Sequence, residues 1–145
     1  MMQVAGGCQC GAVRYTATAA SDKAYWCHCR MCQRALGNAA AAFVNVAKAD
    51  LAITGNPAHF MSSPFGRRGF CGTCGTPLTF DYIDSDRIDL TLGSLDAPQD
   101  FVPTSHFGVE SRHPAWIAPD SLPETRADDY PPLVARWTKA KGQTA

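Results

Sequence analysis

Seven cysteines fall into three tight groups along 145 residues, and this grouping limits the chain's possible folds more than any other feature. Cys8 and Cys10 form CxC. Cys27, Cys29 and Cys32 form CxCxxC within YWCHCRMCQRALG. Cys71 and Cys74 form CxxC in FCGTCG, where the glycine after the second thiol lets the backbone turn tightly and aim its N–H groups at sulfur. A structural zinc takes four thiolates or imidazoles in a tetrahedron, whereas a site for chemistry keeps one position open. Seven ligands divide as four plus three, so the odd count fits a closed site and an incomplete one. Spacing leaves two ways to close the first: Cys29 and Cys32 with Cys71 and Cys74, or Cys8 and Cys10 with Cys71 and Cys74. The second keeps Cys27, Cys29 and Cys32 together on one metal.

Other uses of the thiols fit less well. A redox CxxC belongs in a βαβ setting, and none surrounds Cys71 and Cys74. Free cysteines are often buried as small hydrophobes, but such clustering has no packing reason.

Hydrophobic residues make up 46% of the chain, enough for a globular core in a chain of one-domain length. The expected organisation is a single domain over residues 1–145, with its core over about residues 6–123. Thirteen basic residues balance 13 acidic ones with no like-charge block, which argues against nucleic acid. No stretch reaches the about 20 apolar residues that a membrane span needs. The start, MMQVAGGCQCGAVRY, lacks a charged-then-apolar leader. The expectation is a soluble, cytoplasmic protein with reduced thiols.

Alternation predicts strands over Gly11–Ala17, Lys23–Trp26, Ala41–Val46, Leu51–Thr54, His59–Ser62, Leu78–Tyr82 and Arg87–Leu92. Short helices are predicted over Arg30–Leu36, stopped by Gly37 and Asn38, and over Leu133–Lys139. GNP at Gly55–Pro57 is a turn. The fold class is therefore mainly β. Phe60, Phe65, Phe70, Phe80 and Tyr82 read as the core of the sheets.

GGCQCGAVRY, CHCRMCQRALG and FCGTCGTPL, with LGSLDAP and HFGVESRHPAWI further on, resemble the glutathione-dependent formaldehyde-activating enzyme family, which also includes centromere protein V. The resemblance runs from about Gly6 to Pro123. It implies a single β-tent domain of small antiparallel sheets stitched by zinc. It also implies that Cys8, Cys10, Cys71 and Cys74 hold a structural zinc, and that Cys27, Cys29 and Cys32 hold a catalytic zinc, the latter loosely. The implied activity is that of a carbon–sulfur lyase that adds a thiol such as glutathione to formaldehyde, giving S-hydroxymethylglutathione.

A thiol with pKa of about 8.5 is scarcely ionised at neutral pH, and a bound cation removes its proton. Arg30 and Arg34 flank the cluster and read either as solvated surface charges on a short helix or as grips for glutathione carboxylates; Arg67 and Arg68, ahead of the CxxC loop, read more strongly as surface charges. His28 is a candidate base, alternative ligand or packing residue. His106 and Trp116 read as core or loop-fixing residues, and Asp120 as a turn cap. The expected partners are a small thiol and an aldehyde, with no nucleic acid and no membrane. Two other functions fit the same cysteines: a zinc-stabilised binding module without catalysis, and a redox or metal sensor whose thiolates oxidise and release zinc.

Overall fold

The computed structural model describes residues 1–143. Near the start, side chains alternate in and out along β1 (Met2–Gly7) and β2 (Arg14–Ala19), which pair antiparallel with Val4 opposite Ala17 and Gly6 opposite Tyr15. Gly6 is required here. A Cβ would lie 2.4 Å from both the Tyr15 hydroxyl and the Ser94 carbonyl, and the Tyr15 hydroxyl is hydrogen-bonded to Ser94 Oγ at 2.6 Å. With β5 (Ala52–Thr54) these strands form a three-stranded sheet in the order β1-β2-β5.

The second sheet has eight strands. Besides β3 (Lys23–Cys27) and β4 (Ala41–Ala47) it holds β6 (Ala58–Met61), β7 (Gly66–Phe70), β8 (Pro77–Tyr82) and β9 (Arg87–Thr91). It is completed by β10 (Val102–Phe107) and β11 (Glu124–Thr125), in the order β11-β10-β3-β4-β9-β8-β7-β6. The helices are α1 (Arg30–Leu36) and α2 (Pro131–Gln143). The mainly β expectation holds, and β10 adds parallel pairings to β3 and to β11. No helix among the described residues is long and apolar enough to cross a membrane.

β4 is buried on both faces and separates two cores. Val44 and Val46 pack with Val4, Tyr15 and Ala17 beneath the small sheet. Ala41 and Phe43 point the other way, toward Cys27 and Cys32. A bulge keeps β8 in step with both cores: Gly69 pairs with Thr79 but Phe70 pairs with Pro77, which leaves Leu78 as the extra residue. Leu78 enters the first core while Phe80 packs against the second.

The sequence predicts no strand at β1, β7, β10 or β11, and for β10 and β7 the physical reason is visible. β10 contains Pro103, which ordinarily marks a strand edge. It sits on the stretch of β10 that β11 does not reach, since β11 pairs only with His106 and Phe107. β7 reads GRRGF, two glycines around two cations, and it is a strand because its neighbours use both charges. Arg67 reaches Asp81, which also takes Lys48 Nζ at 2.8 Å, while Arg68 turns to the opposite face.

Asp89 on β9 is buried, and burial pushes its carboxyl up to about 6 despite hydrogen bonds from Asn45 and Tyr25. Its folded pKa lies above the unfolded value, so between about pH 4 and 6 the folded state binds more protons. Stability from this group is present at the low end of that window and is lost as pH rises through it. Asp89→Asn is expected to flatten the dependence and gain on the order of 2 kcal/mol at pH 7. Urea titrations at pH 4.5 and pH 7 check this. A wild type no less stable at pH 7 than the variant would refute it.

Candidate metal centres and the pocket over the second

Cys8 and Cys10 follow β1, and Cys71 and Cys74 lie between β7 and β8. Their four Sγ atoms all lie within 4.8 Å of one another. The Cys8–Cys10 and Cys10–Cys71 sulfur separations are 3.6 and 3.7 Å. A disulfide would need about 2.05 Å. A tetrahedron with zinc–sulfur bonds of about 2.3 Å puts its sulfurs about 3.8 Å apart, so this cluster fits a closed metal site. The Val13 N–H donates to Cys8 Sγ at 3.2 Å and holds that thiol below its usual range. Thr76, through its hydroxyl and then its backbone, brings Cys74 down to about 5.

Cys27, Cys29 and Cys32 form a separate group, again with all sulfurs within 4.8 Å of one another. Cys27 ends β3. Cys29 is the N-cap of α1, and its Sγ accepts from the Cys32 N–H at 3.3 Å. Gly37, at φ +61°, stops the helix where the sequence placed its end. Hydrogen bonds from Cys27 and Cys32 bring Cys29 down to about 3, and its bond to Cys29 pushes Cys27 well above the ordinary range. Of the two ways to close a four-thiol site, the structure brings together Cys8, Cys10, Cys71 and Cys74.

The three-thiol cluster opens on a pocket of about 120 Å³. Tyr25, Phe43, Phe80 and Phe107 wall it from the sheet, and Phe65, Leu133 and Trp137 wall it from the other side. Arg68 also lines it, 5% exposed, and donates from Nη2 to Cys32 Sγ at 3.3 Å. Its guanidinium lies 4.7 Å from the centre of the Phe80 ring. Three thiolates around a divalent ion leave one excess negative charge, and a buried cation against Cys32 offsets it.

Several sequence readings change here. Arg30 and Arg34 are exposed on α1 and do not line the pocket; Arg30 bonds to Gln33 instead. Arg68, read as a surface charge, is the cation at the cluster. Phe65, Phe80 and Tyr82 line the pocket as well as filling the sheet, and Phe60 is 46% exposed. Trp116 is no core residue: it is exposed and stacks on His113 at 4.0 Å.

His28 is wholly buried but does not line the pocket, which removes it as a base acting there. Burial, and then Arg112 and His106, bring its pKa down to about 4. Its Nε2 lies 2.7 Å from His106 Nδ1, and His106 Nε2 lies 2.9 Å from Asp120. A carboxylate only accepts, so His106 Nε2–H donates to Asp120 and His28 Nε2–H donates to His106. Asp120 also accepts from the Leu122 N–H, as a turn cap does. The chain braces the loop from behind. Two further hydrogen bonds do the same: the His28 N–H donates to the Phe107 carbonyl at 2.8 Å, and the Gln33 side-chain amide donates to the His28 carbonyl at 2.7 Å.

Gly108 passes close to the cluster at φ +69°, where a Cβ would sit 3.1 Å from the Cys29 nitrogen. Gly108→Ala is expected to cost at least about 1–2 kcal/mol from the left-handed backbone alone. Urea denaturation measures it, and an unchanged midpoint would contradict the left-handed conformation at Gly108.

A four-thiol cluster, a three-thiol cluster and an aromatic pocket over the second define the class: a mainly β domain with two cysteine sites fit to hold metal. The sequence profile of the glutathione-dependent formaldehyde-activating enzyme family matches residues 3–111, and the chain belongs to that family. A crystal structure of a Rhodobacter sphaeroides protein from a structural genomics programme superposes with a TM-score of 0.54 at 23% identity. The match covers 63% of this chain and 87% of that one, and it is a likeness of fold. No curated protein matches the chain.

Proposed function

We propose that the protein catalyses reversible addition of a thiol, such as glutathione, to formaldehyde, and so acts as a carbon–sulfur lyase in the reverse direction. Family membership supports glutathione- and formaldehyde-related chemistry. The observation that carries the reading is the three-thiol cluster opening into an aromatic pocket with a buried arginine against it.

Zinc is the metal that thiolate ligands favour, with one ion held by Cys8, Cys10, Cys71 and Cys74 for structure and one by Cys27, Cys29 and Cys32. An ion bound at the latter site would supply a positive charge that favours the ionised form of an entering thiol. The chain's own residues do the rest. Arg68 offsets the charge of the cysteines. The aromatic walls displace water, which strengthens electrostatic interactions inside the pocket. Confinement aligns thiol and aldehyde and lowers the entropic part of the barrier.

The test is exchange NMR of formaldehyde with glutathione, cysteine and propane-1-thiol, with and without the zinc-loaded protein. Faster exchange of at least one thiol is expected. A folded, fully loaded protein that accelerates none of them would end this reading.

A further inference from the structure

We infer that the pocket over Cys27, Cys29 and Cys32 takes a small, uncharged, apolar thiol in preference to glutathione, and that α2 sets this limit through Leu133 and Trp137. The inference rests on the thiol-addition reading above and names the substrate class of that same site.

Size is the first argument. The pocket holds about 120 Å³. An apolar cavity of about 150 Å³ accepts benzene, and pockets for drug-sized ligands run to about 300–1,000 Å³. A short alkyl or single-ring group therefore fills this space, and a tripeptide exceeds it.

Charge is the second. Arg68 is the charged side chain on the pocket wall among the described residues, and it already faces Cys32 and covers Phe80. Glutathione brings two carboxylates and an ammonium. Burying ions without partners costs several kcal/mol each. Aromatic walls suit an uncharged group instead.

The third argument is where the closure comes from. α2 lies beyond residue 111, where the family match ends. It is fastened over the pocket: the Trp137 and Phe65 rings meet edge to face at 4.8 Å. At the preceding residue, Arg136 pairs with Asp84 at 2.9 Å and lies 4.0 Å from the centre of the Tyr82 ring. The helix is thus the chain's own wall on the site.

The reaction balances without a redox partner. The S–H bond breaks, sulfur bonds to the formaldehyde carbon, and the carbonyl oxygen takes the proton.

The experiment compares propane-1-thiol with glutathione on the zinc-loaded full chain, each with formaldehyde. It also records saturation transfer from the protein's aromatic protons to each thiol without formaldehyde, a readout independent of turnover. The wild type is expected to favour propane-1-thiol in kcat/KM by about tenfold or more, and Trp137→Ala to shrink that preference. Leu133→Ala, which leaves the Trp137–Phe65 contact in place, serves if Trp137→Ala does not fold. Glutathione used as well as propane-1-thiol by the wild type would overturn the inference and leave thiol addition standing. A preference untouched by a folded α2 variant would overturn the role of α2. No turnover with saturation transfer to propane-1-thiol alone would end the thiol-addition reading and sustain the pocket's selectivity. No turnover and no transfer would overturn both.

Discussion

Cys71→Ser is expected to leave a chain without a cooperative fold at 25 °C. Cys71 is 1% exposed and belongs to the same core as Val4, Tyr15 and Val44, so its sulfur is both a cluster member and packed material. The cluster joins the segment after β1 to the β7–β8 loop, and with it the three-stranded sheet to the eight-stranded one. Apparent binding free energies for structural zinc reach about 10–16 kcal/mol, against about 5–15 kcal/mol for the net stability of an ordinary domain. A variant that no longer held such an ion would therefore lose a contribution comparable with everything that holds the domain together. Near-ultraviolet circular dichroism during thermal unfolding, with zinc content measured alongside, reads the result. A variant that melts cooperatively within a few degrees of wild type would show that apolar packing alone closes the two sheets.

Cys29→Ser is expected to do the opposite: keep the fold and abolish the acceleration of thiol exchange. Cys29 is the one member of the three-thiol cluster that is not fully buried, and serine still caps α1 by accepting the Cys32 N–H. The fold therefore loses little, while the cluster drops to two thiolates. Zinc content is expected to fall by the share held at the second site. Retained activity at full zinc loading would move the chemistry elsewhere; lost activity with an unfolded chain would show that the two clusters are not separable.

Much of this was legible in the residues, and the gaps have physical causes. The three cysteine motifs were legible as candidate metal ligands, because ligand spacing is a local property. α1 was legible for the same reason, with Gly37 marking its end. How the cysteines group was not fixed by spacing, since it depends on which loops the sheets bring together. β10 was hidden because its pairing with β3 joins segments roughly 80 positions apart in sequence, and Pro103 argued against a strand. Arg68 was read as a surface charge because two adjacent cations look solvated; on a strand they must face opposite ways, and the inner one found Cys32. The part played by Trp137 was invisible because a short amphipathic helix does not announce which surface it will cover.

The parallel pairing of β10 with β3 also has a consequence for biosynthesis. The first cluster has all its thiols once Cys74 leaves the ribosome. The loop that bears Cys27, Cys29 and Cys32 gains its backing only when Phe107, Gly108 and the segment ending at Thr125 have followed. At about 5–20 residues per second that delay is on the order of seconds. During it the nascent chain carries one cluster ready to close on metal and another exposed without its supporting wall. The four-thiol cluster is thereby complete before the three-thiol cluster has its supporting wall.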